Sequence, residues 1–266
     1  MKILFLSNKD LASNFALNML LPKVSESHEV HLWLSAKVGK SSVIPTQLKT
    51  LKFFEQDFFN QLLSPLLPAS KNSRAYKSFD EFHPFLHSEI REVNRINSPE
   101  EIEALRALLP DLIVSIRYGG ILKETVIHIP KKGVINLHSG ILPKYKGVMA
   151  TFWAMKNNDP EIGTTLHTID DNSIDTGQVV KISKMKVETI KSYLWHVLEL
   201  YKQGALDIVE AIETLENDGV LKAKPQNETN TYFTFPTENE CDDFEKSGLS
   251  IVDEQDYVEF IKLNYM

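Results

Sequence analysis

Short apolar, β-favouring runs alternate with longer segments in helical spacing along the first half of the chain. KILFLS at positions 2–7 reads as a buried strand, Leu11 to Leu21 as the helix after it, and EVHLWLS at 29–35 as a second strand. Strand, helix and strand in that order begin a doubly wound α/β sheet, mostly parallel and Rossmann-like. DLIVSIRYGGIL adds a buried strand at 111–116 that breaks into Arg117-Tyr118-Gly119-Gly120. Paired glycines there let the backbone come close to a ligand at the carboxyl end of a strand. Val134, Ile135 and Leu137 form a further short strand, and Thr164 to Ile169 another.

The helical segments are less regular. Between 48 and 67, Leu51, Phe53, Phe54, Phe58, Phe59, Leu62, Leu63 and Leu66 keep near-helical spacing, with Pro65 and Pro68 closing the run. Packing on the sheet is the first expectation for this segment; shaping an acceptor pocket or pairing with a second copy of the chain is the other. Residues 69–78 are polar and read as a loop. Ser98 caps a helix with Pro99 at its first position and Glu100 and Glu101 in its first turn. Phe152 to Lys156 reads as helical with Trp153 buried, and Ile190 to Leu215 as one or two helices broken near Gly204. Beyond Gly219, Asn, Thr and Pro dominate before two short helical patterns at 238–246 and 253–263. The expected division is therefore a main domain over 1–218 and a C-terminal extension over 219–266. Tyr232 and Phe233 in that extension are candidates to pack back, to pair with another subunit or to cover a site.

The chain's 266 residues give ample core for one large or two modest domains. Its single cysteine, Cys241, excludes an internal disulfide framework and fits a reducing, cytoplasmic setting. A net charge of -7 carries no global footprint for nucleic acid. Asn8, Lys9 and Asp10 interrupt the first apolar run before it could serve as a signal peptide, and no stretch is long enough to span a bilayer. Asp170, Asp171 and Asp175 are scattered loop carboxylates and do not form a metal-ligand pattern, so no metal is expected.

The chemistry concentrates between Gly133 and Gly177. Asn136 and His138 alternate with the apolar residues of their strand and leave it on the same side. Downstream, IDDNSIDTG is loop chemistry that ends in Asp175 beside Gly177. An amide, an imidazole and a carboxylate suit acyl transfer to an amine, whose tetrahedral intermediate has an anionic oxygen and a cationic nitrogen. Asn136 can donate to the oxyanion, and His138 beside Asp175 can stabilise the same charge. Asp175 can receive the surplus amine proton, directly or through water. Ser7, Asn8, Lys9 and Asp10, between the first strand and its helix, read either as a helix cap or as a hold for phosphate or sugar at a helix N-terminus. With no glycine fingerprint present, the cap is the plainer reading.

Asn136-x-His138, Ile141-Leu142-Pro143, Tyr145-x-Gly147 and Ile174-Asp175-Thr176-Gly177 together resemble the 10-formyltetrahydrofolate-dependent formyltransferases, which act on sugar amines, glycinamide ribonucleotide or methionyl-tRNA. The resemblance covers roughly residues 95 to 185 and implies the doubly wound sheet of that family. Where many members have Pro-Ser after the catalytic His, this chain has Ser139-Gly140. By resemblance Asn136, His138 and Asp175 are the catalytic triad. Tyr118, Gly120, Ile121, Leu122, Asp171 and Asn172 would hold the pterin of 10-formyltetrahydrofolate, largely through backbone groups. Ser7, Asn8, Lys9, Lys144 and Tyr145 are the candidates for the acceptor. Leu166-His167-x-Ile169-Asp170 is similar to the small-molecule branch, and His167 there is a candidate to orient Asp175 or a water. The extension is too short and acidic for the RNA-binding barrel of the tRNA enzymes. The expected acceptor is thus a small-molecule amine, a nucleotide-linked amino sugar before glycinamide ribonucleotide, a hydroxyornithine-type amine or methionyl-tRNA.

Overall fold

The continuous apolar runs lie in the middle of a sheet because both faces are covered. In the computed structural model, which describes residues 1–36, 44–67, 75–227 and 231–266, seven strands pair in the order β3-β2-β1-β4-β5-β6-β7. They are β1 (Lys2–Asn8), β2 (Glu29–Ser35), β3 (Arg91–Glu92), β4 (Leu112–Ile116), β5 (Val134–His138), β6 (Glu161–Thr168) and β7 (Val179–Lys186). The first five are parallel, and β6 runs antiparallel to both of its neighbours, β5 and β7. Alternation along β1 sends Ile3 and Phe5 into one apolar cluster and Leu4 and Leu6 into a second, as expected for a strand buried on both faces. The edge strand β7 was not foreseen, although its lysines at 181, 184 and 186 are what keeps such an edge soluble.

The larger cluster lies under α1 (Leu11–Val24), α5 (Ala150–Lys156) and α6 (Tyr193–Asn217); the smaller lies under α3 (Pro99–Leu108) and α4 (Glu124–Ile127). Asp10 caps α1 by accepting from the Ser13 amide at 2.8 Å, which bears out the cap reading. Helix α6 is not broken at Gly204. A Cβ there would sit 2.7 Å from Leu137 Cδ2, so the glycine lets the helix lie close against β5 and its cost in helix propensity is accepted for packing.

Helix α2 (Thr46–Lys52) runs on into a π-helical stretch, Phe53–Leu63. Its phenylalanines recur at i and i+5, and the Phe53 and Phe58 rings lie 5.7 Å apart. This segment packs on the C-terminal helix more than on the sheet: Phe54 and Phe58 meet Tyr257 at 5.0 and 5.7 Å, and Phe59 meets Tyr265 at 5.5 Å. The loop expected at 69–78 falls outside the described residues except for 75–78. After Gly219, α7 (Glu238–Lys246) and α8 (Glu254–Tyr265) bury Phe244, Tyr257, Phe260 and Tyr265 in the larger cluster, so the extension shares the core of the sheet. Among the described residues no helix is long and apolar enough to cross a membrane, and no His, Cys, Asp and Glu group could hold a metal.

Candidate active site

Strand pairing brings the polar residues of β5 and β6 together. Asn136 lies opposite His167, and His138 opposite Thr165. The loop after β6 then returns Asp175 to the same place, with its side chain only 10 % exposed. His138 Nδ1 lies 3.6 Å from Asp175 Oδ2, and His167 Nε2 lies 3.5 Å from Oδ1. The Gly147 amide donates to Asp175 Oδ2 at 2.8 Å.

Partners that can only accept settle where the ring hydrogens sit. His138 Nε2 donates to the Tyr145 carbonyl at 2.7 Å, so its Nδ1 is the edge turned to Asp175. His167 Nδ1 donates to the Thr168 carbonyl at 2.8 Å, which leaves Nε2 to accept from Asn136 Nδ2 at 3.1 Å. Asn136 is thereby held by one N–H and keeps the other for a ligand. Burial alone would push the Asp175 carboxyl up; the charge of His138 and the Gly147 amide outweigh it and hold the group at about 2. Asp175 is thus a carboxylate at neutral pH. The loop after His138 is tied down on both sides: Thr165 Oγ1 donates to the Gly140 carbonyl at 2.7 Å and Thr151 Oγ1 to the Ser139 carbonyl at 2.8 Å.

Other expected site residues are placed differently. Ser7 donates to the Ile116 carbonyl at 2.9 Å, and Asn8 donates to Asp10 at 2.7 Å and accepts from Ser35 at 3.2 Å. Both are buried and committed within the protein, and of the three only Lys9 is exposed. Lys144 and the Tyr145 hydroxyl both bind Asp159, at 2.7 and 2.9 Å, while the Tyr145 ring is buried against Phe233. Only the Tyr145 carbonyl touches His138. In the loop after β4, Tyr118 donates to the Val93 carbonyl at 2.6 Å and Leu122 is buried, while Ile121 is exposed with its carbonyl bound by Asn97. Asp171 and Asn172 are exposed, and Asp171 accepts from the Ser173 amide at 2.7 Å.

Two features escaped the sequence reading. Gln226 donates to the carbonyls of Asp175 and Gly177 at 2.9 and 2.7 Å, across a separation of 51 residues from Asp175 that leaves no local signal. Arg117 forms a second buried polar cluster with Asp10 at 3.0 Å and Glu55 at 2.9 Å, visible in the sequence only as an acid among phenylalanines.

The Formyl transferase family model matches residues 68–199, and this segment belongs to that family. Methionyl-tRNA formyltransferase of Synechococcus sp. (strain JA-3-3Ab) is 36% identical over 131 residues, which is 49% of this chain and 40% of that protein. The enzyme of the same name from Burkholderia multivorans is 36% identical over 127 residues, 48% of this chain and 38% of its own. The chain thus matches less than half the length of these relatives. Among solved structures, glycinamide ribonucleotide transformylase 1 from Symbiobacterium toebii superposes with a TM-score of 0.58 at 15% identity, over 85% of this chain and 95% of its own. The N-formyltransferase from Helicobacter canadensis, in complex with folinic acid and dTDP-3-aminofucose, does so with 0.57 at 19% identity, over 96% and 85%. At those identities the likeness is one of fold.

Proposed function

We propose that this chain transfers the formyl group of 10-formyltetrahydrofolate to a primary amine, and that its acceptor is a nucleotide-linked amino sugar. The observation that carries the first part is the meeting of Asn136, His138 and Asp175 in one cluster whose donors and acceptors match an amine attacking a formyl carbon. 10-Formyltetrahydrofolate supplies the formyl carbon and departs as tetrahydrofolate. The free N–H of Asn136 donates to the formyl oxygen as it takes up charge, where a single such donor is worth roughly a hundredfold in rate. His138, held by the Tyr145 carbonyl, turns Nδ1 towards the carboxylate and the reacting centre. Asp175, ionised down to about pH 2, takes the proton that the attacking ammonium must lose.

The loop 118–122 and residues 171–172 fit the donor's pterin in this reading. Among the described residues, the amides of Gly120, Ile121 and Leu122 carry no backbone partner and are free to meet a planar heterocycle's edge. His167, bonded to Asn136 and beside Asp175, supports a small acceptor by its similarity to the small-molecule branch. The ligand named in the Helicobacter canadensis structure, dTDP-3-aminofucose, supports the sugar class. The second reading, methionyl-tRNA, is favoured by the 36% identity to those relatives and opposed by the net charge of -7.

A panel of amines incubated with 10-formyltetrahydrofolate decides between them, followed by tetrahydrofolate release and product mass. A gain of one formyl group on nucleotide-linked amino sugars alone is the expected result. Better turnover on methionyl-tRNA or glycinamide ribonucleotide would replace the sugar, and no transfer to any amine would remove the activity.

A further inference from the structure

Asp175 reaches the site in a backbone conformation that an L-residue seldom adopts, with φ at 56°. A non-glycine residue held there is strained and persists only where its surroundings impose it. The loop around it is mostly exposed, with its end paired to β6 through the Thr168 amide and the Gln178 carbonyl at 2.9 Å. Residues of the C-terminal extension hold it as well. Lys224 and Val179 exchange backbone hydrogen bonds at 2.8 Å, which brings the extension alongside the loop. Gln226 Nε2 then donates to both the Asp175 and Gly177 carbonyls. Two carbonyl oxygens facing the same way repel each other unless a donor with two hydrogens lies between them, and a primary amide provides one. Its Oε1 is buried without a partner, so the side chain is held by its donor end.

The extension acts on the carboxylate a second time. The Phe233 amide donates to the Lys146 carbonyl at 2.9 Å, the Val148 amide donates to the Phe233 carbonyl at 2.9 Å, and the Phe233 ring stacks on Trp153 at 5.1 Å. This pairing fixes Gly147, whose amide binds Asp175 Oδ2. Gly147 has φ +97° and a Cβ on it would lie 2.1 Å from the Phe233 carbonyl oxygen, so the extension passes where only glycine leaves room.

We infer that Gln226 is a positioning residue for Asp175. Its amide holds the backbone turn that aims the carboxylate between His138 on β5 and His167 on β6, while Phe233 fixes the Gly147 amide on one oxygen. The C-terminal extension therefore completes the site and does more than cover the sheet. The inference rests on the proposed activity for its effect on turnover, and on the geometry alone for its effect on the histidines.

The test uses the whole chain with Gln226→Met, which keeps the length and removes both N–H groups, and Gln226→Lys, which keeps a donor. Ring 15N shifts of His138 and His167 at neutral pH report the nearby carboxylate without any turnover, with Asp175→Asn marking its complete loss. In Gln226→Met the shifts are expected to move towards those of Asp175→Asn, and kcat to fall by about tenfold to a hundredfold with KM for the folate donor little changed. Gln226→Lys is expected to restore the shifts and most of kcat. Parent-like shifts in Gln226→Met, a loss of kcat that follows only the lost folded fraction, or a lysine variant no better than methionine would each overturn the inference. A parent chain that transfers no formyl group sinks the proposed activity, while the histidine shifts still decide the role of Gln226.

Discussion

Arg117 and Asp175 have the same φ, 56°, and each anchors a buried polar cluster, yet the clusters are opposite in kind. Around Arg117 every contact is at full hydrogen-bond length: Nε to Asp10 at 3.0 Å, Nη2 to Glu55 at 2.9 Å, with Asp10 completed by Asn8 at 2.7 Å and the Ser13 amide at 2.8 Å. Around Asp175 only the Gly147 amide is that close, and the two imidazoles stand off at 3.5 and 3.6 Å. A closed network spends its polar groups on one another and holds the π-helical segment to the sheet. An open one keeps them for a ligand, and catalytic hydrogen bonds often tighten only when substrate arrives. Backbone strain alone therefore does not single out the candidate site; unfilled hydrogen-bonding capacity does.

The largest effect that would sharpen this contrast is on stability. Arg117→Met leaves Asp10 and Glu55 buried together without a cation, and urea unfolding should show a loss of about 3–5 kcal/mol. A loss near zero would mean that the Arg117 cluster is as open as the other. Next, His138→Asn or Asp175→Asn should lower turnover by on the order of a hundredfold or more with the fold retained. Turnover within a few-fold of the parent would remove both residues from the chemistry.

The two carboxyls also predict opposite pH slopes. Burial pushes Glu55 up to about 7, with Arg117 opposing the shift and Asp10 adding to it. The folded chain thus binds a proton that the unfolded chain has released, and this contribution to stability is lost as pH rises from about 4.5 through 7. Glu55→Gln should flatten the unfolding free energy over that window. Asp175 works the other way: its contribution is present above the usual carboxylate range and lost as pH falls towards 2, so Asp175→Asn should blunt the loss of stability in acid. The smallest effect belongs to Lys144, whose exposed ion pair with Asp159 is worth at most about 1 kcal/mol. Lys144→Met should leave the thermal midpoint and the KM for the amine nearly unchanged; a large rise in that KM would bring Lys144 back into the acceptor site.

Much of the site was legible in the sequence because its residues are local or regularly spaced. Asn136 and His138 are two apart on one strand, a separation that by itself puts them on the same face. The continuous apolar runs told of a parallel sheet covered on both sides, and Asp10 could be seen as a cap from its place before the first helix. The π-helical pitch of 53–63 was not legible as such, because spacings of four and five overlap over so short a run. Nor was the unbroken helix at Gly204, where the apposition of Leu137 outweighs propensity.

The sequence by itself determined most of the elements, the sheet's mostly parallel class and the residue types of the candidate site, since those depend on neighbours within a few positions. The tertiary structure decided which polar groups are already occupied. Ser7, Asn8 and Tyr145 look available along the chain and are bound inside the fold, while Gln226 looks like an ordinary loop residue and holds the Asp175 backbone. A hydrogen bond forms between groups that meet in space, and here the decisive partners are brought together by a sheet and an extension: Asn136 meets His167 31 residues further on, and Asp175 meets Gln226 51 residues further on.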